Sequence, residues 1–506
     1  MKKNVIRFLG ALSFVTIALT SCNKDDDNTT TPAIRPDVEF YALTDANQLL
    51  KLNAKTAETP TATVGITGLP SGEKILSIDF RPATGQLYGL GSSSRLYTIN
   101  RDNGAASALG TASFSPVIGG TNASIDFNPT VDRIRLVSNS GQNLRLHPET
   151  GGVAASDGVI NGGSSPSITS IAYTNSVSGA TTTDLFDIDV TTKKLYKQMP
   201  PNDGTLAEVG TINVNFTGKG GFDISPDNSI VLATFTVDSK AKLYTLNTTN
   251  ANATYLADLS AANIIDIAIP TNPVAYAVDE SNNLQYFNPT QTTAPVNKAI
   301  GGLGAGESIV GIDFRPSNGQ LYGLAVTAAG AAKVYTFNLG TGAVTAVGTG
   351  FTVATTNTQF GFDFNPTVDL IRVVGNAGIN LRLNPTTGVI QGADGNLNPG
   401  SPAVHAAAYT NSFPGATMTT LFVADLTKLY RQDPPNVGTL VEIGALGVTV
   451  EAMSGFDIGG RTNTAYGLFT VGGATRVYSI NTTTGAATAG VTYPNKVKAM
   501  SVGLGL

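Results

Sequence analysis

The chain repeats itself, and the repeat limits its fold more than any motif does. Ile78 to Leu90 reads IDFRPATGQLYGL, and 234 positions later Ile312 to Leu324 reads IDFRPSNGQLYGL. Phe127 to Leu146 and Phe364 to Leu383 agree at 15 of 20 positions, now offset by 237. Pro200-Pro201-Asn202 and Pro434-Pro435-Asn436 return the offset to 234. Long matches separated by small insertions mark a tandem duplication, with residues 37–270 as one copy and 271–506 as the other.

A finer unit recurs inside each copy about every 40 residues, the period of a propeller blade. Residues 75–80, 86–90, 95–100 and 105–110 alternate as strands and are joined by Gly-, Asn- and Asp-containing turns. The pattern restarts at Ser124, Ile168, Gly221, Ile264, Ile309, Phe360, Val404 and Gly455. It predicts an all-β chain, a β-propeller of about ten four-stranded units. A β-sandwich would need no such period, and no stretch outside the N-terminal leader has a helical one.

Closure is predicted from the ends. Val38 to Tyr41 reads as a second strand lacking a first, and Val497 to Val502 as a first strand lacking a blade. Their pairing would remove both edges. Only residues 270–273 separate a first-type strand, Ile264 to Ile269, from a second-type strand, Val274 to Val278. Four residues reach at most about 14 Å. That short junction favours one ten-bladed ring; the alternative is two five-bladed propellers.

The N-terminus predicts a location. Lys2, Lys3 and Arg7 precede an apolar stretch, Phe8 to Leu19, shorter than the roughly 20 residues of a membrane span. This is a signal-peptide pattern over residues 1–21. Leu19-Thr20-Ser21-Cys22, with the chain's only cysteine, resembles a bacterial lipobox, which implies lipidation of Cys22. Lys24-Asp25-Asp26-Asp27 resembles the surface-export signal of Bacteroidota lipoproteins. Residues 22–36 then read as a Thr/Pro-rich tether. The expectation is an outer-membrane lipoprotein at the cell surface, bound to the membrane through its lipid. With a formal net charge of −5 and 13% charged residues, no basic face for nucleic acid is implied.

The LYGL segments, FNPTVD-x-IR, and NLRLNP (NLRLHP in the first copy) resemble the bacterial repeat family known as domain of unknown function 4394. The resemblance spans residues 37–506. It implies an extracellular or envelope protein and brings no activity or site residues.

Candidate chemistry lies in two constellations. An aspartate recurs in the first strand of seven units: Asp79, Asp126, Asp223, Asp266, Asp313, Asp363 and Asp457, with Ala172, Ala408 and Ser501 in the other three. Apolar neighbours on both sides turn all of them the same way off their strands. They are expected to accept backbone hydrogen bonds and lock each hairpin to the next blade; otherwise they line a channel or ligand site. Carboxylates suit Ca²⁺, but no dense D-x-D-x-D loop is present, so no cofactor is expected, with Ca²⁺ as the alternative. Arg135, Arg145, Asn139 and Asn143 recur as Arg372, Arg382, Asn376 and Asn380. Counting across the turn sets Arg135 opposite Asp126 and Arg372 opposite Asp363, so two ion pairs are expected, with an anionic glycan as the alternative partner of the arginines.

Catalytic equipment is thin. His147 and His405 occupy different places in their units, and no GxSxG, HExxH or P-loop occurs. The expected function is a surface-anchored scaffold binding a glycan or protein ligand through its loops. A carboxylate- or metal-dependent hydrolase or lactonase and a purely structural envelope protein are the alternatives.

Overall fold

The computed structural model describes residues 34–506 apart from 261–262, 293, 393 and 401. The leader, Cys22 and the tether to residue 33 lie outside the described residues. Among the described residues, no helix is long and apolar enough to cross a membrane.

The described chain is all-β: nine four-stranded antiparallel sheets and one three-stranded sheet, each a propeller-like unit. Alternation builds them. In Leu87–Gly91 and Arg95–Ile99, Tyr88, Leu90, Leu96 and Tyr97 are buried between neighbouring sheets. Tight turns join the strands, with left-handed residues such as Asn47, Asp132 and Asp369 at the bends.

The closing pairs differ from those expected. Glu39–Thr44 pairs with Ile264–Ala268, the last strand of the first copy. Val497–Val502 pairs with Ala275–Asp279, the first strand of the second copy. The chain ends do not pair with each other; each copy closes on itself.

The innermost strands give the same answer. Ile264–Ala268 touches both Ile75–Phe80 and Phe222–Ile224. Ala123–Asn128 and Ile168–Tyr173 complete that cycle of five. In the second copy Val497–Val502 touches Glu307–Arg315 and Ala452–Ile458, and Phe360–Asn365 and Ala406–Tyr409 complete a second cycle. The inner strands thus contact one another in two cycles of five, one in each copy, where a single cycle of ten was expected. The short junction is no obstacle, because the copies abut where it crosses. Tyr276 Oη donates to Ala83 O at 2.7 Å, Gly505 N to Thr84 O at 2.8 Å, and Arg81 Nη1 to Gly319 O at 2.9 Å.

Inner strands approach backbone to backbone, which glycine permits. A Cβ on Gly221 would lie 2.3 Å from Ile267 N, and one on Gly361 2.5 Å from Ala407 N.

Motifs shared by the copies join adjacent sheets. The arginine of IDFRP binds the aspartate of NPTVD in both: Arg81 Nε donates to Asp132 at 2.9 Å, and Arg315 Nε to Asp369 at 2.8 Å. Arg81 is fully buried and also donates to Glu149.

Self-closure makes a local forecast. Val502→Pro removes the N–H that bonds Asp457 at 2.7 Å and disturbs the strand paired with Ala275–Asp279. Hydrogen exchange should show lost protection in 275–279 and retained protection in 39–44. Equal loss in both strands would mean that the ends are coupled as one ring requires.

Candidate functional site

The aspartates converge on the axis of each cycle. Asp79 Oδ2 accepts Phe127 N–H at 2.7 Å, Asp126 Oδ1 accepts Tyr173 N–H at 3.2 Å, and Asp223 Oδ2 accepts Ile269 N–H at 2.5 Å. In the second copy Asp313 accepts Phe364 N–H at 2.8 Å, Asp363 accepts Tyr409 N–H at 3.0 Å, and Asp457 accepts Val502 N–H at 2.7 Å. Every acceptor reaches the inner strand of the next sheet, as the fastening reading expected. Ser501 Oγ lies 2.9 Å from Asp457 and 3.1 Å from Asp313, bridging the two.

Asp266 departs from the series. Ile269 N–H meets Asp223 as Val502 N–H meets Asp457. The residue matching Ser501 is thus Ala268, and Asp266 stands two places earlier. There it takes Ile78 N–H at 2.9 Å and the Ser77 hydroxyl. A two-residue shift keeps the side chain on the same face of the strand, so counting along the sequence did not expose it.

Three carboxylates per cycle share one level: Asp79, Asp126 and Asp223, and Asp313, Asp363 and Asp457. In each set one oxygen per residue lies within 4.8 Å of the others, an arrangement able to hold a cation. All six are buried. Burial and then mutual repulsion push Asp79, Asp126, Asp313 and Asp363 well above the usual carboxylate range. Burial raises Asp223 to about 7 and Asp457 to about 6, against the backbone N–H groups that favour the anion. Asp79, Asp223, Asp313 and Asp457 also take the N–H of their own following residue at 2.6–2.8 Å. Among the described residues Asp126 and Asp363 take one backbone N–H each, leaving one oxygen for a shared proton.

The axes differ one layer away. The first copy presents Ser77, Ser124 and Ser170 with Asp266, and Lys219 Nζ donates to the carbonyls of Leu76 and Ala123. Burial raises Asp266 to about 6, less than it would without Lys219. The second copy has Gly311, Gly361, Gly455 and Ala499 around a cavity of about 20 Å³, with Lys498 at its wall.

The two arginines are not in the channel, and the expected ion pairs are corrected. The backbone register does set Asp126 opposite Arg135 and Asp363 opposite Arg372. The guanidinium groups instead reach into loops. Arg135 Nη1 bonds Asp157 at 2.6 Å and Asn143 at 2.7 Å, while Nη2 bonds Asn202 at 2.7 Å. Arg372 bonds Asp394, Asn380 and Asn436 at the same distances. Arg145 and Arg382 close on the same two acids. Burial alone would raise Asp157, but Arg145 and Arg135 hold it below the usual range. The axial aspartates offer less charge to pair with, being raised toward the neutral form. In the sequence, Asp157 and Asp394 are marked only by their identical spacing of 12 after Arg145 and Arg382. Asn139 and Asn376 take no part in these clamps and accept from the N–H groups of 121–122 and 358–359. Burial lowers His147 and His405, and neither belongs to a carboxylate group.

Both halves match one family model, described as "Domain of unknown function (DUF4394)", over residues 48–268 and 283–503. The chain belongs to this family. No curated protein matches it. Among the solved structures that match is one at 13% identity with a TM-score of 0.24, covering 89% of this chain and 65% of that one. Its title concerns PorZ, an essential bacterial surface component of the type-IX secretion system of Porphyromonas gingivalis. The DUF4394 chain thus spans just under two thirds of that protein's length, and a likeness of this degree says nothing of function.

Two measurements follow. Asp394 and Arg372 are 1% and 2% exposed, so Asp394→Ala leaves a buried cation short of its partner and should cost about 3–5 kcal/mol in chemical denaturation. Arg431→Ala, at an ion pair 46% and 55% exposed, should cost under about 1 kcal/mol.

Axial acids also set a pH dependence. Their folded pKa values exceed the unfolded ones, so the folded state binds more protons and their contribution is full below about 4. It is lost as pH rises through the values of about 6 and 7 at Asp457 and Asp223. The melting temperature should therefore fall between about pH 5 and pH 8, and Asp223→Asn should flatten the fall. A rise over that interval would contradict the assignment.

Proposed function

We propose that the chain is a lipid-tethered surface scaffold of two five-bladed propellers that binds a ligand or partner outside the propeller axes. One observation carries the reading: the axial aspartates are committed to backbone N–H groups of neighbouring strands. They serve as fasteners, and a hydrolase built from them would have to release the bonds that close its own fold. The faces and edges remain for recognition.

A cation in either axis is the second reading, favoured by the three converging oxygens in each copy. Calcium would then raise the melting temperature by mass action on the folded state, and Asp79→Asn together with Asp313→Asn, one in each axis, would abolish that gain. Under the scaffold reading calcium leaves the melting temperature unchanged.

The tether and the binding role are tested together. Labelled palmitate should tag the protein, Cys22→Ser should release it from the membrane fraction, and whole cells carrying the wild type should retain added polysaccharide or protein that Cys22→Ser cells do not. Turnover of a lactone or glycoside that disappears in Asp223→Asn and Asp363→Asn would replace the scaffold reading with the hydrolase.

A further inference from the structure

Where the two copies abut they leave a cleft of about 280 Å³. One wall comes from the strand and turn at 98–107, the other from residues 413–415, 460–461 and 504–505. Pockets at such junctions are common ligand sites.

The charges in this cleft do not balance. Arg461 is bound by Asp102, through Nε at 2.6 Å and Nη2 at 3.0 Å. Arg101 has no carboxylate within ion-pair distance among the described residues. Its one hydrogen bond runs from Nη2 to Gly505 O at 3.4 Å, and its Nε is buried without a partner. Its guanidinium carbon lies 5.4 Å from the centre of the Phe80 ring, which supports the group from behind. Burial and then the charge of Arg461 lower its pKa, the mark of a cation lacking its counter-ion. The fully buried arginines Arg81, Arg135 and Arg372 each have a carboxylate, and half-buried Arg101 does not.

We infer that this cleft binds a small organic carboxylate of about monosaccharide size, with Arg101 as its counter-ion. The planar fork suits a carboxylate. Thr98 and Asn103 add polar groups, while Phe413 and Pro414 give the opposite wall an apolar surface. That combination fits a ring bearing hydroxyls and one acid group, the chemistry of a uronic acid, free or at the end of an acidic glycan. The inference rests on the scaffold reading and names its ligand class.

Calorimetric titration of the full-length protein in detergent tests it, with glucuronate, glucose and inorganic phosphate as probes. Glucuronate should bind, glucose should bind at least about tenfold more weakly for want of the charge-assisted bond, and phosphate should not compete. Arg101→Gln should reduce glucuronate to the level of glucose. Should that variant fail to fold, Arg101→Lys keeps the charge but loses the fork and should weaken binding, as should Phe413→Ala. A glucuronate-tipped oligosaccharide that binds more tightly than free glucuronate points to a glycan end; equal affinity points to the free acid. Equal affinity for glucose, phosphate binding as tight as glucuronate, or undiminished binding in a folded Arg101 variant would each overturn the inference. No binding of any probe would also overturn it, while retention of ligand by whole cells would leave the scaffold reading standing.

Discussion

One side-chain bond, repeated around each axis, holds the architecture. Inner strands of neighbouring sheets belong to separate ladders, so N–H groups facing the next sheet lack a sheet partner, and a buried unpaired N–H is costly. An aspartate oxygen supplies the acceptor. The device gathers three buried carboxylates near one axis, where they cannot all ionise. Sharing protons resolves the conflict, and the oxygens of Asp126 and Asp363 that lack a backbone donor are placed to do it. Close approach also demands small residues one layer away, hence Gly221 and Gly361.

The two copies keep this device and vary what surrounds it. Both retain three aspartates at one level, and both retain the arginine clamp with matching distances. One axis carries serines, a fourth aspartate and Lys219 where the other has glycine, alanine and a cavity of about 20 Å³, room for about one water. The retained parts join one sheet to the next in both copies. The varied parts add further inter-sheet bonds in the first copy alone, where Asp266 takes the Ile78 N–H and Lys219 donates to the Leu76 and Ala123 carbonyls.

Recognition is placed by the same logic. Charged groups inside each half are spent on cohesion, as with Arg81 on Asp132 and Arg372 on Asp394. Where the halves meet, the accounts of the two copies are not matched by duplication. Arg101 comes from one copy and Arg461 from the other, and the carboxylate of Asp102 is bound to Arg461.

The repeat, the strand spacing and the turn residues determined the all-β class, the ten units, the duplication and the inward aspartates, because these follow from period-two burial and local turn chemistry. Partner choice did not follow. Tyr41-Ala42 and Tyr276-Ala277 are interchangeable as edges, so Ile264–Ala268 could be paired with either by sequence alone. Ring closure depends on how each sheet leans on the next and on the halves abutting at the junction. The arginine partners were hidden for a related reason. Strand register correctly set Arg135 opposite Asp126, but a long side chain bonds where its end arrives, and only the packing of loops against the neighbouring sheet put Asp157 there. The cleft at Arg101 was wholly a tertiary product, since its two walls are more than 300 residues apart in the chain.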